Sequence, residues 1–181
     1  MLPVRAATVN AMSLVDRLHA EWEARSATRR WADELGALSD GTPVPADIQT
    51  LIDSRVDPKT WAAYATVHGF GLIPQTPDPS RPTAELILLH HAGVSPSLLD
   101  RWMTQQMTDD LVMRRDWLWT RMYDNIELMV DHEIPVRVAG LYALAGYDPG
   151  EAVTDFRSGI TTTETLQVEV GLGLPELLSL A

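Results

Sequence analysis

Apolar residues recur along this chain at spacings of three and four, which predicts helices almost from end to end. Between residues 11 and 38, Leu14, Leu18 and Trp22 share one stripe, and Trp31, Leu35 and Leu38 continue it beyond Ser26 and Thr28. The pattern predicts an amphipathic helix or a kinked pair, ended by Ser39-Asp40-Gly41-Thr42-Pro43. Residues 45–54 place Ile48, Leu51 and Ile52 on a common face, and Asp57-Pro58 opens a helix carrying Trp61, Tyr64 and Ala65. A side-chain acceptor at the N-cap followed by proline at the first helical position favours that start.

Gly69, Gly71, Pro74, Pro77, Pro79 and Pro82 prevent any regular element between them. The chain is thus expected to divide into an N-terminal helical part (1–68), a linker (69–82) and a C-terminal helical part (83–181). Each side is small enough that one shared core is expected. After the linker, residues 83–92 predict a buried helix, Gly93-Val94-Ser95 a turn, and residues 96–107 a second helix. Thr108, with Asp109 and Asp110 beside it, can cap the longest helix of the chain, reaching about Asp131. Its apolar stripe is Leu111, Leu118, Trp119, Met122, Ile126, Met129 and Val130. At 1.5 Å per residue this helix would be about 36 Å long and would form the central element.

Beyond it the units shorten and glycine punctuates them. Residues 136–145 end at Gly146, Asp148-Pro149-Gly150-Glu151 opens a unit closed by Gly159, and Thr161-Thr162-Thr163-Glu164 opens a degenerate copy. Both openings have the form of a capping box, in which the cap oxygen and a glutamate each satisfy an orphan backbone amide. Leu166, Val168, Val170, Leu172 and Leu174 alternate strictly, which is a strand signal. The capping box favours helix there, with a short C-terminal strand as the alternative. The expected fold is all-α: a multi-helix domain around one long central helix, with short helical hairpins at the C-terminus.

Composition agrees with a folded domain. The 181 residues are 45% hydrophobic and 22% charged, enough to bury roughly 70% of the unfolded chain's surface in one core. There is no cysteine, so disulfides, thiolate metal sites and thiol nucleophiles are all excluded. Residues 1–15 lack the apolar run of a signal peptide, and no segment approaches a membrane span, so a cytoplasmic setting without a membrane partner is expected. Lys59 is the single lysine among 14 basic residues, and the net charge is −11. From Asp124 onward ten acidic residues face Arg137 and Arg157 alone. A surface of that sign repels nucleic acid; it suits solubility first, and a basic protein partner or imitation of a phosphate backbone second.

Signals for chemistry are sparse. His19 and Glu23 share a helix face and Asp131-His132-Glu133 gathers three donors, but neither group has a partner motif, and surface histidines near helix ends are common. No Gly-x-Ser-x-Gly, phosphate loop or complete dinucleotide fingerprint is present. No catalytic, metal or cofactor site is assigned, and a hydrolase with a histidine or carboxylate site is an alternative without motif support.

The segment 83–104, TAELILLHHAGVSPSLLDRWMT, resembles the helix-turn-helix of DNA-binding regulators: Gly93 permits a left-handed turn, Val94 packs between the helices, and Leu99 and Trp102 hold the second helix. The resemblance implies that Ser95, Ser97, Arg101 and Thr104 would face the major groove. It departs from the pattern at Leu89, where the family has alanine, and it carries Glu85 and Asp100 against one arginine. A groove reader needs cations for phosphate, so an ordinary helical hairpin with the same turn is favoured.

Six tryptophans remain to be placed. Trp22, Trp31, Trp61 and Trp102 lie on apolar stripes and are expected in the core, whereas Trp117 and Trp119 cannot both face one side of a helix. An exposed tryptophan near Arg114, Arg115 and Arg121 has the composition of a protein-binding hot spot. The function expected is therefore non-enzymatic protein interaction, as a regulatory adaptor, assembly factor or acidic inhibitor. Its partner would be another protein, of basic character, or the chain itself, through this cluster or the acidic C-terminal hairpins. A helix-turn-helix regulator is the alternative.

Overall fold

The computed structural model describes residues 14–38, 44–45, 47–68, 81–109 and 115–171. Among them are nine helices and no strand: α1 (Leu14–Leu38), α2 (Ile48–Asp53), α3 (Pro58–His68), α4 (Arg81–His91), α5 (Pro96–Asp109), α6 (Arg115–Asp131), α7 (Val136–Ala145), α8 (Pro149–Ser158) and α9 (Thr163–Glu169). The domain is all-α, as the spacing predicts.

One turn design joins most of these helices. At the ends of α2, α4, α6, α7 and α8 a residue in the left-handed region stops the helix: Arg55, Gly93, Glu133, Gly146 and Gly159. An apolar residue follows each, and the next helix begins two or three positions on. In the first four turns the amide of that apolar residue donates to a carbonyl five residues back: Val56 to Leu51, Val94 to Leu89, Ile134 to Met129 and Tyr147 to Tyr142, at 2.9–3.1 Å. This is the longer bond of a Schellman motif, and it satisfies a carbonyl the helix end would otherwise orphan. Val56, Val94 and Ile134 are buried, so the same residue that closes the turn also anchors it in the core. Aromatic donors fasten two of the turns further: the Trp31 indole donates to the Val56 carbonyl at 3.1 Å, and the Tyr64 hydroxyl to the Val94 carbonyl.

A single apolar cluster runs from Trp31 and Leu35 on α1 to Leu166 on α9. α6 packs against α3, α4, α5, α7 and α8, with Leu118, Trp119, Met122, Ile126 and Met129 inward. It is central, but it is not the longest helix. α5 runs through Thr108 to Asp109, so Thr108 ends one helix instead of capping the next, and Leu111 lies outside the described residues. With 17 residues α6 is about 25 Å long, whereas the 25 residues of α1 span about 37 Å.

α1 also corrects the expected single stripe. The helix is continuous across Ser26 and Thr28. Trp22 and Trp31 are nine residues apart, which is two and a half helical turns, so they point in opposite directions. Trp31 and Leu35 are buried against α2 and α3, while Leu18 and Trp22 are 58% and 66% exposed. Leu38 is likewise exposed. Trp22 therefore does not anchor the core.

At the C-terminus the helix alternative holds over the described residues. Leu166 is buried, Val170 one turn later is half-buried, and Val168 between them faces out, which is the helical projection of an alternating sequence. The cap falls one residue later than expected: the Thr162 hydroxyl accepts from the Thr165 amide at 3.2 Å, which leaves Glu164 at the second helical position. Leu172 and Leu174 lie outside the described residues. Upstream, Asp57 and Asp148 cap α3 and α8 as expected, accepting from Thr60 at 2.7 Å and Gly150 at 2.9 Å. α4 includes Pro82 in its first turn, where its missing N–H is not needed, and residues 69–80 of the expected linker are outside the described residues. α7 lies so close to the end of α4 that a Cβ on Gly140 would sit 2.1 Å from the Ala92 carbonyl oxygen.

Candidate functional site

On a helix, residues two apart point 200° apart, and α6 uses this to separate its two tryptophans. Trp119 turns inward and is fully buried; its indole N–H donates to the Glu85 carboxylate at 2.8 Å. Its ring meets His68 edge-on at 4.4 Å between centroids and Tyr64 at 6.0 Å. Burial raises the Tyr64 hydroxyl above its ordinary range, keeping it a neutral donor to Val94. Trp119 thus belongs to an enclosed polar knot that ties α3, α4 and α6 together.

Trp117 turns outward and is 49% exposed. The Arg121 guanidinium lies 5.5 Å from the centroid of its ring, a cation–π contact one turn along the helix. The same outward face continues through Asp124 to Leu128, both exposed. Offsets of four, seven and eleven residues keep these side chains in one line. Leu128 was not among the residues singled out in the sequence, and Asp124 was named there only as the start of the acidic run, although the spacing that joins them to Trp117 is legible.

The remaining arginines separate from this face. Arg115 donates to Asp100 at 2.8 Å and to the Val67 carbonyl at 3.2 Å, so it joins the first turn of α6 to α5 and α3. Arg114 lies outside the described residues. The structure therefore brings together Trp117 and Arg121, and directs Trp119 and Arg115 elsewhere.

The residues implied by the helix-turn-helix resemblance are engaged locally. Ser95 accepts from the Leu98 amide at 3.3 Å and lies 3.1 Å from the Ser97 hydroxyl. Thr104 donates to the Asp100 carbonyl at 2.8 Å. Arg101, the arginine that would meet phosphate, donates to the Val170 carbonyl at 2.7 Å, where α9 ends. The glycine turn itself is as expected, with Gly93 at φ 75°.

Among the described residues no three His, Asp or Glu side chains gather closely enough to hold a metal. His19 lies 3.2 Å from Glu23 on the exposed part of α1, and in the Asp131-His132-Glu133 trio Glu133 is the left-handed turn residue. His90 is held below its ordinary pKa by burial first, then by the neighbouring His91 and Arg137, against the opposing pull of Asp57. Two open recesses flank α1, the larger about 690 Å³; their linings contain Glu23, Ser26, Arg25 and Arg30 but no histidine beside a nucleophile. No helix among the described residues is long and apolar enough to cross a membrane.

Comparison with protein-family models, with characterised proteins and with solved structures finds no match to this chain.

Proposed function

We propose that the domain is a protein-interaction module whose binding surface is the outward face of α6. The observation that carries this reading is Trp117, half-exposed and stacked under Arg121, on the face opposite the buried Trp119. Tryptophan and arginine contribute disproportionately to binding energy at protein interfaces. The cation–π contact also restricts both side chains before a partner arrives, which lowers the ordering cost of association. Asp124 and Leu128 extend the face into a strip about 16 Å long with an aromatic end, an acidic middle and an aliphatic end. A partner of matching chemistry presents an apolar pocket for the indole and a basic side chain to Asp124. The acidic residues exposed along α6 to α9, such as Glu127, Asp131, Asp148 and Glu151, favour a basic partner in the same way.

The test combines Trp117→Ala with Arg121→Ala. Both residues are exposed, so the helical signal and melting temperature should remain within a degree or two of the parent. A photo-cross-linking residue placed at position 124 should capture a specific partner in the host. The double variant should lose that capture. Retention of every partner by a folded double variant would remove the α6 face from consideration.

A further inference from the structure

A second surface, on α1, calls for a partner of its own. The first three turns of this helix project beyond α2 and α3, and residues 16–23 are all exposed. A helical stretch of that length is marginal in water without tertiary support. Leu18 and Trp22 stand on it one turn apart, turned away from the Trp31 and Leu35 face that meets the core. Trp22 is stacked on His19, with ring centroids 6.4 Å apart and planes within 15°. None of the described residues covers this stripe.

The charges beside the stripe specify its occupant. Residues 16–23 carry Asp16, Glu21 and Glu23 against Arg17, a balance of −2. Residues 25–30 carry Arg25, Arg29 and Arg30 and no acid, a balance of +3. All seven side chains are exposed. Two such helices laid parallel would set acid on acid and base on base. Laid antiparallel, the acidic half of each meets the basic half of the other. In the antiparallel arrangement α2 and α3 of each copy, on the Trp31 and Leu35 side of its α1, lie on the outer side of the pair. Trp22 then meets its counterpart or Arg25 of the other copy near the centre, a setting suited to stacking or cation–π contact.

We infer that a second copy of this chain docks antiparallel along the Leu18–Trp22 stripe of α1, leaving the α6 face of each copy free. The inference is independent of the function proposed above, because the two surfaces are on different helices and are altered by different substitutions.

Sedimentation velocity across a concentration series tests it. The full chain should pass from monomer to dimer as concentration rises. Leu18→Ala with Trp22→Ala should weaken the dimer by at least about thirtyfold in a chain that still folds, since neither side chain supports the core. Glu21→Arg with Glu23→Arg, and separately Arg25→Glu with Arg29→Glu, should each stay monomeric, while an equimolar mixture of the two variants should associate. The chain has no cysteine, so Arg29→Cys reports direction cleanly: copies in a parallel pair would cross-link there, and copies in the antiparallel pair would hold the two thiols roughly 20 Å apart. A chain that stays monomeric to about 1 mM overturns the inference. So does a dimer indifferent to Leu18 and Trp22, a mixture that fails to associate, or efficient cross-linking at position 29.

Discussion

Alanine in place of Gly140 should be among the most damaging single-methyl additions this domain can receive. In a helix interior the substitution ordinarily stabilises by about 1 kcal/mol, because glycine has more backbone entropy to lose on folding. At Gly140 the new Cβ would sit 2.1 Å from the Ala92 carbonyl oxygen and 2.9 Å from the Ala92 Cβ. The first of these is a backbone atom at the end of α4, on a residue whose own amide donates to the Leu88 carbonyl at 2.9 Å, so it cannot swing aside as a side chain would. α7 must instead move away from α4 by about an ångström, opening contacts around the buried Ala139 and Tyr142. Overpacking of this kind costs about 1–3 kcal/mol and sometimes more. An approach of 2.1 Å to a backbone atom puts this site at the upper end of that range, so after the propensity gain the net loss should be about 2 kcal/mol, which for a domain of this size lowers the melting temperature by roughly 4–8 °C. Gly36→Ala supplies the control: that glycine is also helical, and its Cβ would meet nothing within 4 Å. It should be neutral or stabilise by up to about 1 kcal/mol. Urea denaturation of the two variants beside the parent decides the matter. If Gly140→Ala matched or exceeded the stability of Gly36→Ala, the close approach of α7 to α4 would be wrong.

Three other outcomes follow from the same structure. Arg55 and Glu133 hold left-handed backbone at φ 61° and 67° without being glycine, so Arg55→Gly and Glu133→Gly should each raise the urea midpoint by about 0.5–1 kcal/mol equivalent, against the usual direction of glycine substitutions. Trp119→Phe removes the indole donor from the buried Glu85 carboxylate and should cost about 1–3 kcal/mol in chemical denaturation, whereas Trp117→Phe on the exposed face should cost almost nothing. His90 has a lower pKa folded than unfolded, so the unfolded chain binds its proton more readily; the associated stability is present above the ordinary histidine pKa of 6.5 and is lost as pH falls below it. Unfolding curves between pH 7.5 and 5.5 should show a steeper loss for the parent than for His90→Gln, and equal slopes would remove His90 as a cause.

Local features were the most legible part of the sequence. Helix content, the Asp57 cap and the turns at Gly93, Gly146 and Gly159 depend on neighbours within a few residues, and each leaves a recognisable signature. The turns at Arg55 and Glu133 were hidden because the left-handed residue there is not glycine; the apolar residue followed by Asp57-Pro58 or by Pro135 was the remaining clue. Facing was harder to read. Drawing one stripe from Trp22 to Trp31 required a kink at Ser26 to Thr28, and a continuous helix sends the two rings to opposite sides. The opposed directions of Trp117 and Trp119, by contrast, follow from spacing alone. Least legible were the tertiary partners of the arginines. Nothing near Arg115 announces Asp100 fifteen positions earlier, and nothing near Arg101 announces the Val170 carbonyl. Which cations remain for a partner is therefore fixed only when the helices have packed.

The left-handed residues Glu133, Gly146, Gly159 and Gly171 succeed one another at steps of 13, 13 and 12 residues. Contacts among the helices between them reach the next helix and the next but one: α6 meets α7 and α8, and α7 meets α8 and α9. A segment wired this way behaves like a short one-dimensional lattice, in which order spreads from neighbour to neighbour. α6 and α7 are held by the main core, so protection against amide exchange should be greatest there and decline through α8 to α9. Loosening should begin at the α9 end, and because Arg101 of α5 holds the Val170 carbonyl, that first step would also release an arginine on α5.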